Sequence, residues 1–386
     1  MPVTADIPLS LYVHIPWCAQ KCPYCDFNSH TANGAAPTAR YVDALLLDIE
    51  REATRAAGRE VTTIFLGGGT PSLFPPREIE RLLAGIEDLL EVAADAEITM
   101  EANPGTLECG SPAGYRSAGV NRMSLGAQSL DDLSLQRLGR IHSSDDVRHS
   151  VDALAGAGFD NFNLDLMHGL PHQTVDMALA DIRSALELGP AHLSWYQLTL
   201  EPNTVFHARP PSGLPDEETA WAIQEAGAAQ LAAAGFERYE VSAWARDGLF
   251  CRHNLNYWQF GDYLAAGAGA HGKVTVDGAV LRYRKPAHPQ QYMQTMEAGE
   301  HGASADVPGE ADLVFEFMLN ALRLVDGFPE QLFEERTGLP LEYLEELSEE
   351  AIGRGLLERS AAGVWRPTVL GMRFLDDLQA GFLPSA

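Results

Sequence analysis

Along the first two hundred residues the hydrophobic pattern switches between two kinds of segment. Short apolar runs at 11–15, 62–66, 97–101, 122–125, 161–166 and 192–198, several of them stopped by Gly or Pro, read as buried strands. Between them, at 38–57, 77–90, 131–138, 145–157 and 175–188, apolar residues recur three to four apart, the helical period; Tyr41, Leu45 and Ile49 mark one such face. Strands alternating with amphipathic helices imply a parallel sheet with helical crossovers. Six such units predict an α/β fold, a partial (β/α)6 TIM-like barrel smaller than the closed eight-unit form.

The alternation stops after Pro202. There follow a loop at 209–213, an alanine-rich helix at 216–234, a strand at 236–241, the stretch CRHNLNYW at 251–258 and a Gly/Ala-rich run, AAGAGAHG, at 265–272. A polar linker at 300–308 leads to helices at 310–324, 330–336 and 341–354, a small β-wing (356–358 and 364–366) and a last helix at 368–378, a winged-helix-like pattern. The expected domains are a core barrel over 1–205, a barrel extension over 206–300 and a helical winged-helix-like domain over 301–386.

Composition narrows the partners. The 386 residues are 46% hydrophobic and 21% charged, enough chain for a large core. Net charge is −27, which repels phosphate backbones and argues against nucleic acid. Residues 301–386 carry sixteen Asp and Glu against six Arg and no Lys, a net of −10 where a DNA-reading wing needs the opposite sign. A packing or lid role is expected there. No apolar run approaches the ~20 residues of a membrane span, and the first residues lack the basic and apolar regions of a secretion signal. A cytoplasmic protein is expected.

Five cysteines are present, and Cys18, Cys22 and Cys25 share one loop directly after the first strand, spaced C-x3-C-x2-C. A clustered odd count points to metal or redox chemistry rather than to paired disulfides. Cys109 and Cys251 read as ordinary, partly buried thiols. Zinc would need a fourth ligand, from His14 or His30. An iron–sulfur cluster held by three thiolates would leave one iron open to another ligand. Other polar signals sit at or after strand ends, where α/β barrels bind their ligands. Gly67, Gly68 and Gly69 allow close backbone approach and could present N–H groups to a ligand. Glu101, Gln128, Arg140 and Asp165 fall on the same rim. Asp165, within an apolar strand, needs a partner when buried, and Arg140 is the expected one. Farther on, His253 is either a satisfied structural histidine or an axial ligand for haem iron, with Tyr257 and Trp258 offering flat apolar surface and Asn254 orienting the imidazole.

Taken together, the cysteine loop and a GGGTP turn one βα unit later resemble those of the radical S-adenosylmethionine (SAM) superfamily. The resemblance implies a 4Fe–4S cluster whose open iron binds the amino and carboxylate groups of SAM, and a reduced cluster that cleaves SAM to methionine and a 5′-deoxyadenosyl radical. LYVHIPWCAQKCPYCDF, FLGGGTPS, GAQSLDDLSLQRLGR and NLDLMHGLPHQ are similar to one branch of that superfamily almost end to end. This branch holds oxygen-independent coproporphyrinogen III oxidase and the related haem chaperones. By that resemblance Tyr12, Tyr24, Gly68, Gly69, Thr70 and Glu101 match SAM-binding positions. Gln128, Arg140 and Asp165 match positions at which the oxidase holds a second SAM. Three features favour the chaperones. Phe27 stands where the oxidase pattern has a fourth cysteine. Only ten residues precede Leu11, where the oxidase has a long extension. His253-Asn254-Leu255-Asn256-Tyr257-Trp258 matches the HNxxYW motif associated with haem. The resemblance therefore implies a protein that binds haem, carries the SAM-liganded cluster and passes haem to an acceptor protein, with a reductant serving the cluster. Peripheral contact with membrane haemoproteins, a monomeric or dimeric state, and productive cleavage of SAM are left open. The rivals are oxidative decarboxylation of coproporphyrinogen III to protoporphyrinogen IX and a zinc-bound structural protein.

Overall fold

The structure is a computed structural model describing residues 7–32, 34–105, 111–300 and 302–384. Six strands, β1 (Leu9–Ile15), β2 (Val61–Gly68), β3 (Val92–Ala102), β4 (Arg122–Gln128), β5 (Phe162–His168) and β6 (His192–Gln197), pair in parallel in that order. Those are the six units expected. Helices α1 (Thr38–Ala56), α2 (Pro76–Leu89), α3 (Ser144–Gly156) and α4 (Val175–Glu187) lie between them in the chain. Their apolar stripes explain the packing. In α1, Tyr41, Leu45 and Ile49 are fully buried, four residues apart on one face. A capping box at Ser143 and Asp146 starts α3, and Pro76 sits at the first turn of α2, where its missing N–H costs nothing.

The sheet extends beyond the six. After α5 (Glu217–Ala233), β7 (Glu237–Glu240) and β8 (Ala243–Ala245) add antiparallel strands beside β6. Helix α6 (Arg252–Trp258) then leads to β9 (Asp262–Ala266), a seventh parallel strand on the other side of β1. The Gly/Ala-rich run hid this strand. Leu264, Ala265 and Ala266 are all fully buried, so no alternation marks them. At Gly267 (φ +107) a Cβ would stand 2.3 Å from the His14 carbonyl oxygen, so small residues there serve close packing. β10 (His271–Val276), β11 (Ala279–Arg284) and β12 (Ser304–Asp306) continue antiparallel, which places an edge strand in the expected linker. Among the described residues the twelve strands form one sheet, and no ladder joins its two edges. The ladder and the main core run unbroken past residue 205, with Ile223, Leu231, Trp244 and Leu264 in the same cluster as Leu11 and Leu66.

Lys285, just after β11, is buried against α1, its Nζ 2.5 Å from Asp48 Oδ1 and 2.6 Å from Glu52 Oε1. The tail forms a second core around Phe317, Phe328, Phe333 and Trp365. It comprises α7 (Glu310–Ala321), α8 (Glu330–Thr337), α9 (Leu341–Gly353) and a small sheet in which Val364–Pro367 lies between Leu357–Arg359 and Phe328–Pro329. The last helix, expected to be continuous, breaks at Phe374 (φ −116, ψ 46) into Val369–Arg373 and Leu375–Ala380.

Candidate functional site

The cysteine loop connects β1 to α1. Backbone pairing of Trp17–Cys18 with His30–Thr31 closes its base. The glycine turn after β2 supports it from beneath: Gly69 N–H donates to Ile15 O at 2.8 Å and Thr70 N–H to Trp17 O at 2.7 Å. A Cβ at position 69 would stand 2.5 Å from Trp17 O, so only glycine permits that approach. Gly68 (φ +108) donates its N–H to Glu101 Oε2 at 2.9 Å. For Gly68 and Gly69 the expectation that their N–H groups face a ligand is thus corrected: they are spent on holding Glu101 and the cysteine loop.

Cys18, Cys22 and Cys25 line one cavity of about 290 Å³ together with Tyr24, Gly68, Gly69, Glu101, Gln128, Arg140 and Asp165. Tyr12 and Thr70 do not line it. Thr70 is buried and accepts from Asn103 Nδ2 at 2.9 Å, while the Tyr12 hydroxyl meets His14 Nδ1 at 3.0 Å. His14 Nε2 reaches the Asn28 carbonyl at 2.9 Å, so both its nitrogens are engaged and it does not complete a zinc site. Among the described residues no three His, Cys, Asp or Glu side chains converge on a single ion. Three thiols facing one roomy cavity fit a larger thiolate-bound cluster with an open position better than a closed tetrahedral zinc site.

Arg140 and Asp165 share this cavity without pairing, which corrects a second expectation. Arg140 donates to Asn103 Oδ1 at 2.6 Å, to Gly126 O at 2.9 Å and to Cys22 Sγ at 3.3 Å. Asp165 lies mid-strand in β5 and is satisfied by Ser124 Oγ at 3.1 Å and Asn163 Nδ2 at 2.8 Å. At the end of β4, where the register shifts, Gln128 takes a positive φ of 66° and accepts from the Tyr196 hydroxyl at 2.8 Å. A Cβ on Gly126 would come within 2.8 Å of Asn103 Oδ1. Asn103, Gly126 and Tyr196 escaped the sequence reading; single polar or glycine residues carry no spacing signal. Burial, then the Asp165 charge, pushes the Glu101 carboxyl up to about 8, against the Gly68 N–H. Glu101 is therefore largely neutral at neutral pH, and a cation against it would draw off its proton.

The HNxxYW residues lie on α6. Glu97, buried in β3, caps this helix by accepting from Arg252 N–H at 3.1 Å and His253 N–H at 3.2 Å. His253 is buried. Its Nδ1 lies 2.8 Å from Thr63 Oγ1 and its Nε2 2.9 Å from the Tyr257 hydroxyl. Burial, with the Arg122 charge, drives its pKa down to about 3, so it is neutral. With both nitrogens taken, His253 is not presented as an axial ligand here, and Thr63 rather than Asn254 sets its orientation. His253 and Asn254 line an inner polar cavity of about 210 Å³, together with Arg122 and His192. Tyr257 also lines an outer cleft of about 600 Å³, with Trp258, Tyr263, Phe27 and His271. That cleft and the cysteine cavity share Asp26, Phe27, Gly68 and Glu101. Cys251 is buried beside Glu97, its thiol pushed up to about 12 by burial, in keeping with an inert role. Cys109 lies outside the described residues.

Comparison with known proteins adds three findings. The family model described as the Radical SAM superfamily matches residues 12–185, and the HemN C-terminal domain matches residues 310–374. The chain is 50% identical over 377 residues to the Heme chaperone HemW of Escherichia coli (strain K12), covering 97% of this chain and 98% of that protein. It is 46% identical over 381 residues to the Heme chaperone HemW of Haemophilus influenzae, with 97% and 98% covered. Among solved structures it superposes on coproporphyrinogen III oxidase (HemN) from Escherichia coli, a radical SAM enzyme, with a TM-score of 0.81 over 98% of this chain and 90% of that one. At 24% identity the last likeness establishes the fold.

Proposed function

The chain belongs to the radical SAM superfamily and, within it, to the HemW family, and on that premise we propose that it is a haem chaperone that binds haem and hands it to an acceptor protein. Membership of the superfamily implies a 4Fe–4S cluster and SAM. In this reading Cys18, Cys22 and Cys25 hold the cluster, and Tyr24, Gly68, Gly69, Glu101, Gln128, Arg140 and Asp165 form the surrounding wall for SAM. When bound, that pair supplies one-electron chemistry. The chain's own residues do the positioning. Arg140 is anchored by Asn103 and Gly126 with its charge against Cys22. The Glu101 carboxyl, held by the Gly68 N–H, would receive the ammonium of SAM in this reading.

The observation that carries the haem side is the shared wall. An aromatic cleft of about 600 Å³ abuts the cysteine cavity through Phe27, Gly68 and Glu101. Phe27 is 58% exposed and offers a ring where a fourth thiol would otherwise stand. A bound porphyrin would therefore sit next to the cluster, so that the state of the cluster and SAM gates haem transfer rather than turning over a substrate. Among the described residues no helix is long and apolar enough to cross a membrane. The test is anaerobic incubation of reconstituted protein with SAM, reductant and coproporphyrinogen III, beside haem transfer from the loaded protein to an apo-haemoprotein. Transfer without protoporphyrinogen formation is expected. Protoporphyrinogen accumulating in place of transfer would assign the oxidase activity instead.

A further inference from the structure

Three imidazoles stand near the outer cleft, and their surroundings differ. His14 lines it, but both its nitrogens are bound, by Tyr12 and by the Asn28 carbonyl. His253 does not line it; it lies behind Tyr257 with both nitrogens held by Thr63 and Tyr257. His271, the first residue of β10, lines the cleft, is exposed, and makes no ring hydrogen bond to any described residue. The tyrosine hydroxyls on the wall are committed as well. The Tyr12 hydroxyl meets His14, that of Tyr257 meets His253, and that of Tyr263 accepts from Arg282 Nη1 at 2.7 Å.

We propose that His271 is the axial ligand to the iron of haem bound in this cleft. The proposal rests on the reading of the chain as a haem carrier and deepens it. It assigns the HNxxYW segment to the wall of the cleft and to the support of that wall. The volume, about 600 Å³, lies within the ~300–1,000 Å³ usual for small-molecule sites. Phe27, Tyr257 and Trp258 supply flat aromatic surface for a porphyrin face. Trp258 Nε1 is buried with no hydrogen-bond partner among the described residues, an orphan donor at the cleft, and Arg323 lies over one face of its ring. His271 is held by the sheet, directly across the ladder from Arg284. Burial and the nearby Arg284 and Arg282 lower its pKa, which keeps the imidazole neutral and its lone pair free at neutral pH. His253 acts at one remove. It fixes Tyr257, and Tyr257 packs its ring edge-on against Tyr263 at 4.5 Å between centroids.

Ferric haem titrated into the anaerobically purified full-length chain tests this, with wild type, His271→Ala and His253→Ala compared. Wild type is expected to give an imidazole-ligated Soret band and the high-spin ferric signal of a single protein ligand. His271→Ala should lose that signature and weaken haem binding by at least about tenfold. Added free imidazole should restore the spectrum, while iron and sulfide content and the thermal midpoint stay at wild-type values, since the side chain is exposed. His253→Ala should bind haem more weakly, because Tyr257 loses its anchor, but with the same imidazole-ligated spectrum. If wild type binds haem and His271→Ala binds it with the same spectrum and affinity, the ligand assignment is wrong and haem carriage stands. Loss of the imidazole signature in His253→Ala alone would move the ligand there. No Soret shift even for wild type would overturn haem carriage and the ligand together.

Discussion

His253 shows how a residue changes meaning between sequence and structure. Its motif implied a haem ligand, but its Nδ1 partner, Thr63, lies 190 positions away in β2, a pairing that no local pattern reveals. Truncation of His253 to Ala should leave Thr63 and Tyr257 short of a partner around a new cavity. We expect a loss of ~2–4 kcal/mol in stability, read by denaturant unfolding. The imidazole is buried neutral, so its contribution is present above the ordinary histidine pKa and is lost as pH falls from there towards about 3. Glu101 has the opposite sign. Its carboxyl is raised to about 8, so its contribution to the fold is fully present below the ordinary carboxyl pKa and is lost as pH rises from there through about 8. A cation that needs the carboxylate form should bind more tightly as pH rises towards 8. SAM affinity measured from pH 6 to 8.5 should show this rise in wild type and a flatter profile in Glu101→Gln. The three cysteines, Gly68, Gly69 and Glu101 were legible because spacing and strand ends marked them. Asn103, Gly126 and Tyr196 were not, because what they do depends on neighbours brought in by other strands.

Among the elements, the six central strands were readable because each carries a buried apolar face, as with Leu11 and Val13, Ile64 and Leu66, or Leu164 and Leu166, and most are followed by helices with a clear stripe. The opposite face, with Thr63, Glu101, Ser124 and Asp165, carries the polar groups. β9 was hidden because it is short and its last two residues run into the Gly/Ala-rich stretch. Its role emerges only from its pairing with β1 and from the fit of Gly267 and Ala268, just after it, against His14 and Tyr41. The same crowding governs the turn after β2. Gly69→Ala pushes a Cβ into the Trp17 and Ile15 carbonyls. A cost of about 1–3 kcal/mol is expected, together with a fall in bound iron after reconstitution, because the cysteine loop hangs from those two carbonyls. The Lys285, Asp48 and Glu52 cluster ties the segment after β11 to α1. Replacing Lys285 with Met removes the cation paired with buried Asp48, while Glu52 keeps Arg55, and should cost about 3–5 kcal/mol, with recovery as pH falls and Asp48 protonates. A stability equal to wild type at pH 7 would show that the cluster does not hold the two halves together.

For the molecule as a whole, one sheet carries both cavities, the cysteine loop at the end of β1 and the outer cleft between that loop and β9 to β10. The acidic tail packs on it as a separate core. Several of its arginines are already paired, Arg359 with Glu330 and Glu345, Arg366 with Glu358, and Arg323 with Glu240. A winged-helix-like shape with its cations neutralised should not retard duplex DNA at physiological salt in a mobility-shift assay. Sequence periodicity located this tail and its wing but did not foresee the break at Phe374, where the chain leaves helical geometry.

The central claim is that one chain carries a thiolate-held cluster and, beside it, a site for haem. It is tested most directly by titrating ferric haem into the anaerobically reconstituted protein while iron and sulfide are measured on the same sample. The account predicts about four iron and four sulfide per chain before haem is added, and a saturable Soret shift at one haem per chain. Zinc in place of iron, or haem absorbance that rises without saturation or shift, would contradict it.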